Sequence, residues 1–210
     1  MNIEILYLVA ILISILLSMT IHEAMHAYVA YALGDDTAKL MGRLSLNPFV
    51  HIDLVTTIIL PLLLAMSGLP PFGAAKPVPF NPSKVKYGDY GAALVGVSGP
   101  LTNFGLAVFA GGIMRLFAIT NGIGYLIVGT FVLVNLSFFV FNMIPYPPLD
   151  GSRLLYAFAP DSVRKVMRSI ERTGFIGILI FMFFMFKFIA PVIGTAVNVL
   201  WDAIVGFPLV

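Results

Sequence analysis

Apolar residues run almost unbroken over residues 3–33, 91–118 and 124–144, and again from Gly174 to the C-terminus. Each of the first three runs reaches the roughly 20 residues that a helix needs to cross a bilayer. The first, at 1.5 Å per residue, makes a helix of about 46 Å that must tilt or protrude. Gly34 is placed to end it as a C′ residue before Asp35-Asp36. Along the second run, Gly96, Gly99, Gly105, Gly111 and Gly112 offer sites where helices can approach closely in lipid.

The stretches between these runs read differently. Residues 35–53 are polar and turn-rich, with Gly42-Arg43 and Asn47-Pro48, and the alternation over residues 40–46 allows a short strand. Residues 54–67 are apolar but contain Pro61 and are too short for an ordinary span, so a re-entrant or interfacial segment is expected. Five prolines, at 70, 71, 77, 79 and 82, make the next connector extended or hairpin-like. Pro191 divides the C-terminal run into residues 174–190 and 192–207, which form either one span plus an interfacial helix or two short spans. The expected fold is an all-α polytopic membrane protein. It has a core of three transmembrane helices, a short strand or re-entrant connector and one or two C-terminal spans, with residues 1–210 as a single domain.

Composition agrees with this pattern. Of 210 residues 60% are hydrophobic and only 10% charged, against about 25% charged in ordinary soluble domains, and the mean hydropathy is +1.00. The first run has no basic n-region and is too long for a signal peptide, so it is expected to be retained as a span. Net charge is +2, and nucleic acid is not an expected partner; the sequence leaves self-association open. There is no cysteine, which excludes disulfides, thiolate zinc sites, iron–sulfur clusters and cysteine nucleophiles.

Against this background, His22-Glu23-Ala24-Met25-His26 stands out inside the first apolar run. On a helix, residues four apart lie one turn above each other, so both imidazoles can reach one Zn²⁺ with Glu23 beside it as a general base. Ionisable groups inside a span are costly unless they face a ligand, a cavity or one another. The alternative is a hydrogen-bonded polar cluster at a helix interface. A catalytic zinc takes three protein ligands, and Asp150 is the candidate for the third. It ends a proline-rich break after the third run, Pro145-Tyr146-Pro147-Pro148-Leu149-Asp150. Its alternative role is to N-cap the helix that starts at Gly151. His51, in the loop after Asn47-Pro48, is more simply a solvent-facing histidine than a fourth ligand.

The pair of motifs His22-Glu23-x-x-His26 and Asn142-x-x-Pro145-x-Pro147-x-x-Asp150-Gly151 resembles the site-2 protease family of intramembrane zinc metalloproteases. Gly99-Pro100-Leu101-Thr102-Asn103 matches that family's intervening glycine-x-x-x-asparagine pattern, and the resemblance covers roughly residues 15–155. It implies His22, His26 and Asp150 as zinc ligands and Glu23 as general base. It also implies Asn103 and Asn142 as substrate-cleft or oxyanion-stabilising groups, the alternative for each being an interhelical hydrogen bond. The implied substrates are membrane proteins cut within or near a transmembrane helix. Many relatives append PDZ or CBS domains, and this sequence shows neither.

Topology tests the ligand set independently. If residues 54–67 do not cross the membrane, the two following helices carry Asp150 back to the side on which the first helix ends. If they did cross, Asp150 would emerge on the wrong side. Ten of the twelve basic residues fall on that same side, in residues 34–90 and 153–172, leaving Arg115 and Lys187 elsewhere. The positive-inside rule makes this side cytoplasmic, puts the N-terminus outside and opens the zinc site toward the cytoplasm in a multi-pass protein of the cell membrane. Two rival readings are a membrane metal transporter or metal-binding protein, and a catalytically inactive membrane scaffold. Convergence on one place, with a glutamate between the histidines, favours hydrolysis over both.

Overall fold

A membrane helix inverts the usual amphipathic pattern, with leucine and isoleucine facing lipid and small or polar groups facing the protein interior. The first helix, α1 (Ile3–Ala32), shows this directly. Its buried residues include Ala10, Ser14, Ser18, His22, His26 and Ala30, one every fourth position, whereas Ile5, Leu8, Leu12 and Leu17 lie exposed on other faces. The helix ends where Gly34 takes φ 105°, with Gly34 N–H donating to Tyr31 O and Asp35 N–H to Ala30 O, the paired bonds of a Schellman cap.

The computed structural model describes residues 3–59 and 75–207. After α1 come α2 (Thr37–Leu40), a 3₁₀ turn at Pro48–Val50, a π-type turn at Leu54–Ile59, α3 (Asp89–Leu116), α4 (Gly122–Asn142), α5 (Gly151–Phe158), α6 (Asp161–Glu171) and α7 (Phe175–Val205). Among the described residues, four stretches are long and apolar enough to cross a membrane: Ile3–Ala32, Gly88–Leu116, Gly122–Asn142 and Lys187–Val205. No strand occurs among the described residues. The expected strand at residues 40–46 is instead the end of α2 and a turn, in which Arg43 N–H bonds back to Ala38 O at 2.8 Å. The expected re-entrant segment lies outside the described residues from position 60 onward. Pro191 does not break the C-terminal run, which is one helix from Phe175 to Val205.

Helix α3 is the centre of the bundle, packing on α1, α4, α5 and α7. Its small residues allow this: a Cβ at Gly96 would lie 2.7 Å from Cβ of Arg153 on α5, and one at Gly111 would lie 2.5 Å from Ile204 on α7. Away from the polar end, Ala107, Ala110 and Met114 of α3 close against Val132 and Leu136 of α4 and Val197, Trp201 and Val205 of α7. Arg164 of α6 pairs with Asp89 at the start of α3 at 2.7 Å, and Arg153 of α5 pairs with Glu171 of α6.

Residues 75–88 run alongside α1 toward its C-terminal end. Lys86 N–H donates to Leu33 O at 2.9 Å, Asn81 N–H to Asp35 Oδ2 at 2.6 Å, and Val78 N–H to Glu23 Oε2 at 3.0 Å. Asp35, fully buried, anchors this connector, and its Oδ1 also accepts from Thr37 N–H and the Thr37 hydroxyl. Burial alone would raise its pKa, but the Thr37 hydroxyl, the Asn81 and Thr37 amides and the charge of Lys84 outweigh it and hold the carboxyl below its ordinary value. A depressed carboxylate contributes stability above its unfolded pKa of about 3.9, and that contribution is lost as pH falls through the folded value. Asp35→Asn should therefore cost about 2 kcal/mol at pH 7, and the gap from wild type should close as pH drops below about 4. Melting curves of the purified protein across that range check this; a gap that widens on acidification contradicts it.

Candidate metal centre

The i, i+4 spacing on α1 brings the two imidazoles of His22 and His26 together edge to face, with ring centroids 4.7 Å apart and planes at 88°. Asp150 reaches them from the far end of the chain. After α4 ends at Asn142, the proline-rich turn folds tightly enough that a Cβ at Gly151 would lie 2.3 Å from Met143 O. Asp150 occupies the N-cap position of α5, but its side chain makes no capping hydrogen bond. Its Oδ2 lies instead 3.0 Å from His22 Nε2 and 3.3 Å from His26 Nε2, and the two Nε2 atoms are 3.1 Å apart. Of the two roles open to Asp150 in the sequence, the carboxylate geometry selects the one facing the histidines.

Each histidine is held from behind. His22 Nδ1 is 2.5 Å from Asn103 Oδ1, and His26 Nδ1 is 2.7 Å from Val95 O. Both partners are oxygen acceptors, so each Nδ1 carries the proton and each Nε2 presents a lone pair to the shared point. Two lone pairs and a carboxylate oxygen held this close repel one another unless a metal ion or a shared proton sits among them. Their separations of 3.0–3.3 Å approach the edge of a tetrahedron with ligand bonds of about 2.0–2.1 Å. The backbone leaves the space open: a Cβ at Gly99 would stand 2.6 Å from Nε2 of both histidines. The donor set and this opening fit a zinc ion.

Glu23, next to His22 in sequence, has one oxygen fixed by Val78 N–H at 3.0 Å. Val78 lies between Pro77 and Pro79, which have no N–H, so its amide is the one donor of that tripeptide. Asn103 is fully buried on α3, with its amide spent on Ser18 O and Asn135 Oδ1 and its oxygen on His22. Its hydrogen bonds thus join α1, α3 and α4, with its oxygen backing the His22 ring. Asn142 turns its amide onto its own helix, donating to Phe138 O at 3.0 Å. His51 stands in the loop that carries the connector, with its Nε2 2.8 Å from Ser45 O, and is buried rather than solvent-facing.

Sequence reasoning passed over Val78, and placed Gly99 only as a close-packing glycine and as part of the glycine-x-x-x-asparagine pattern. Gly99 had a usable signal, because it lies four residues before Asn103 and so shares its face of α3. Val78 acts through its backbone, which no residue type announces.

An H-E-x-x-H helix and a carboxylate from a separate segment, meeting inside a bundle of membrane-length apolar helices, define a polytopic membrane protein with a metalloprotease-type zinc centre. No family model and no solved structure matches the chain. Among curated proteins it is 38% identical over 179 residues to one from Bacillus subtilis named "Putative zinc metalloprotease YwhC", an overlap of 81% of this chain and 78% of that protein. It is also similar to the Rip2 proteins of Mycolicibacterium smegmatis (25% over 174 residues) and Mycobacterium tuberculosis (26% over 169 residues), which carry the same zinc metalloprotease description. The chain spans less than two thirds of those two proteins, 64% and 63% of their lengths, and they cover 80% and 79% of it. The chain belongs to the site-2 protease family of zinc metalloproteases.

Proposed function

We propose that this zinc metalloprotease hydrolyses peptide bonds within or near the transmembrane segments of membrane-protein substrates. The observation that carries this reading is the convergence of His22 Nε2, His26 Nε2 and Asp150 Oδ2 between apolar helices, with Glu23 in the same motif. His22, His26 and Asp150 would hold the zinc. When bound, the metal supplies Lewis acidity, making a water nucleophilic near neutral pH and polarising the scissile carbonyl.

Glu23 is the general base: its carboxylate takes the proton released by the attacking water and later delivers it to the leaving amine. Val78 N–H restrains the carboxylate so that it keeps its orientation through both transfers. Asn103 orients His22. Asn142, the last residue of α4 before the turn that delivers Asp150, is the candidate for substrate contact. An intact substrate helix hides its carbonyls in internal hydrogen bonds, so the cut segment must unwind before it can reach the site. Ten of the twelve basic residues lie in residues 34–90 and 153–172, on the side reached by the end of α1 and the start of α5, and by the positive-inside rule that side faces the cytoplasm.

The test is cleavage of a single-span membrane protein by the purified enzyme in lipid vesicles, before and after a chelator removes the metal. Cleavage should fall to background on stripping and return when zinc is added back. Cleavage at the full rate by the stripped protein overturns the reading.

A further inference from the structure

His22 is the first link of a hydrogen-bond chain that leaves the metal centre and crosses two helices. His22 Nδ1–H donates to Asn103 Oδ1 at 2.5 Å, Asn103 Nδ2–H donates to Asn135 Oδ1 at 2.9 Å, and Asn135 Nδ2–H donates to Phe131 O at 2.9 Å. Both asparagines are fully buried. The direction of the chain is set by two backbone carbonyls, which can only accept. Phe131 O requires the amide nitrogen of Asn135 to face it, so the oxygen of Asn135 turns toward Asn103. Ser18 O, 3.3 Å from Asn103 Nδ2, requires the same of Asn103, so the Asn103 oxygen turns toward His22. A histidine facing that oxygen holds its proton on Nδ1 and leaves the Nε2 lone pair for the metal.

We propose that Asn135, remote from the metal, is a positioning residue that tunes zinc affinity by fixing the amide of Asn103 and through it the tautomer and ring orientation of His22. The longer bond to Ser18 O alone holds Asn103 less firmly. Without Asn135, one buried N–H of Asn103 loses its partner, and the amide gains freedom to rotate. Groups that orient a metal-bound histidine typically affect affinity 10- to 100-fold. Acting one bond further out, Asn135 is expected to be worth roughly tenfold. The proposal rests on His22 being a zinc ligand.

The experiment measures the zinc affinity of the purified full-length protein by competition with a chelator, alongside melting of the metal-free form. Four forms are compared: wild type, Asn135→Leu, Asn135→Asp and His22→Ala. Asn135→Leu removes the acceptor and should weaken zinc binding roughly tenfold. Asn135→Asp, its carboxyl neutral in this buried position between apolar helices, donates its O–H to Phe131 O, keeps its carbonyl oxygen facing Asn103 Nδ2 and should restore wild-type affinity, a rescue that loss of packing alone does not predict. Wild-type affinity in Asn135→Leu, or an Asp variant as weak as the Leu variant, overturns the proposal. If the leucine variant fails to fold, Asn135→Ala, which adds no bulk, takes its place with the same expectations. His22→Ala separates the two levels: retention of tight zinc there overturns the metal-centre reading itself, whereas its loss beside an unaffected Asn135→Leu removes only the role of Asn135.

Discussion

Glu23→Gln should leave zinc bound and lower kcat for cleavage by about 10²–10⁴-fold, the usual contribution of a positioned general base. Glutamine keeps the shape of the side chain, and its carbonyl oxygen can still accept from Val78 N–H, so the mount on the connector survives. What is lost is the capacity to take a proton. The metal site is expected to be unchanged, because the closest donor separations, 3.0 to 3.3 Å, involve only His22, His26 and Asp150. Zinc content per chain and kcat, measured on the same preparation, check both halves. A Gln variant that cleaves at the wild-type rate with full zinc would remove Glu23 from the mechanism.

A second large effect is expected from the smallest possible substitution. Gly99→Ala adds one methyl group at 2.6 Å from Nε2 of His22 and of His26, in the space where a shared ion would sit. Both imidazoles are fixed from behind, by Asn103 Oδ1 and Val95 O, and cannot retreat without breaking those bonds. Zinc affinity should therefore fall by roughly a hundredfold or more, taking cleavage with it. Gly99 lies inside α3, where alanine favours the helix by about 1 kcal/mol over glycine. The usual helix preference thus opposes the substitution's effect on the site. A chelator competition and a melt of the metal-free protein separate the two. The variant should lose zinc without losing its fold, and tight zinc binding by Gly99→Ala would mean that the ion lies elsewhere.

The sequence made the long elements legible because a bilayer leaves few choices. A run of apolar residues of sufficient length must be a helix, since every backbone group has to be satisfied within it. Hence residues 3–33, 91–118 and 124–144 correspond to α1, α3 and α4 with ends shifted by at most two residues. The same reasoning fails between spans. The alternation over residues 40–46 resembles a strand, but Gly42 takes φ 68° and closes α2 with a turn, so local bonding prevailed over pattern. Pro191 looks like a helix end, yet α7 runs through it; in a membrane, breaking the backbone exposes more unsatisfied groups than one missing N–H.

For the site, residue type and spacing alone singled out His22, Glu23 and His26, because four residues make one helical turn and few side chains other than histidine can bind a metal in a chain without cysteine. They also proposed Asp150, but left it between a ligand and a helix cap. Only the tertiary structure decided that its carboxylate turns to the histidines, because that direction depends on how α3, α4 and the turn after Asn142 pack, over a separation of more than a hundred residues. Packing likewise joined Asn103 to His22 and Asn135, left an opening beside both imidazoles at Gly99, and brought the Val78 amide to Glu23. These are contacts of backbone atoms, of an absent Cβ and of amide direction. None of them is written in the identity of a residue, and each exists only once the helices are assembled.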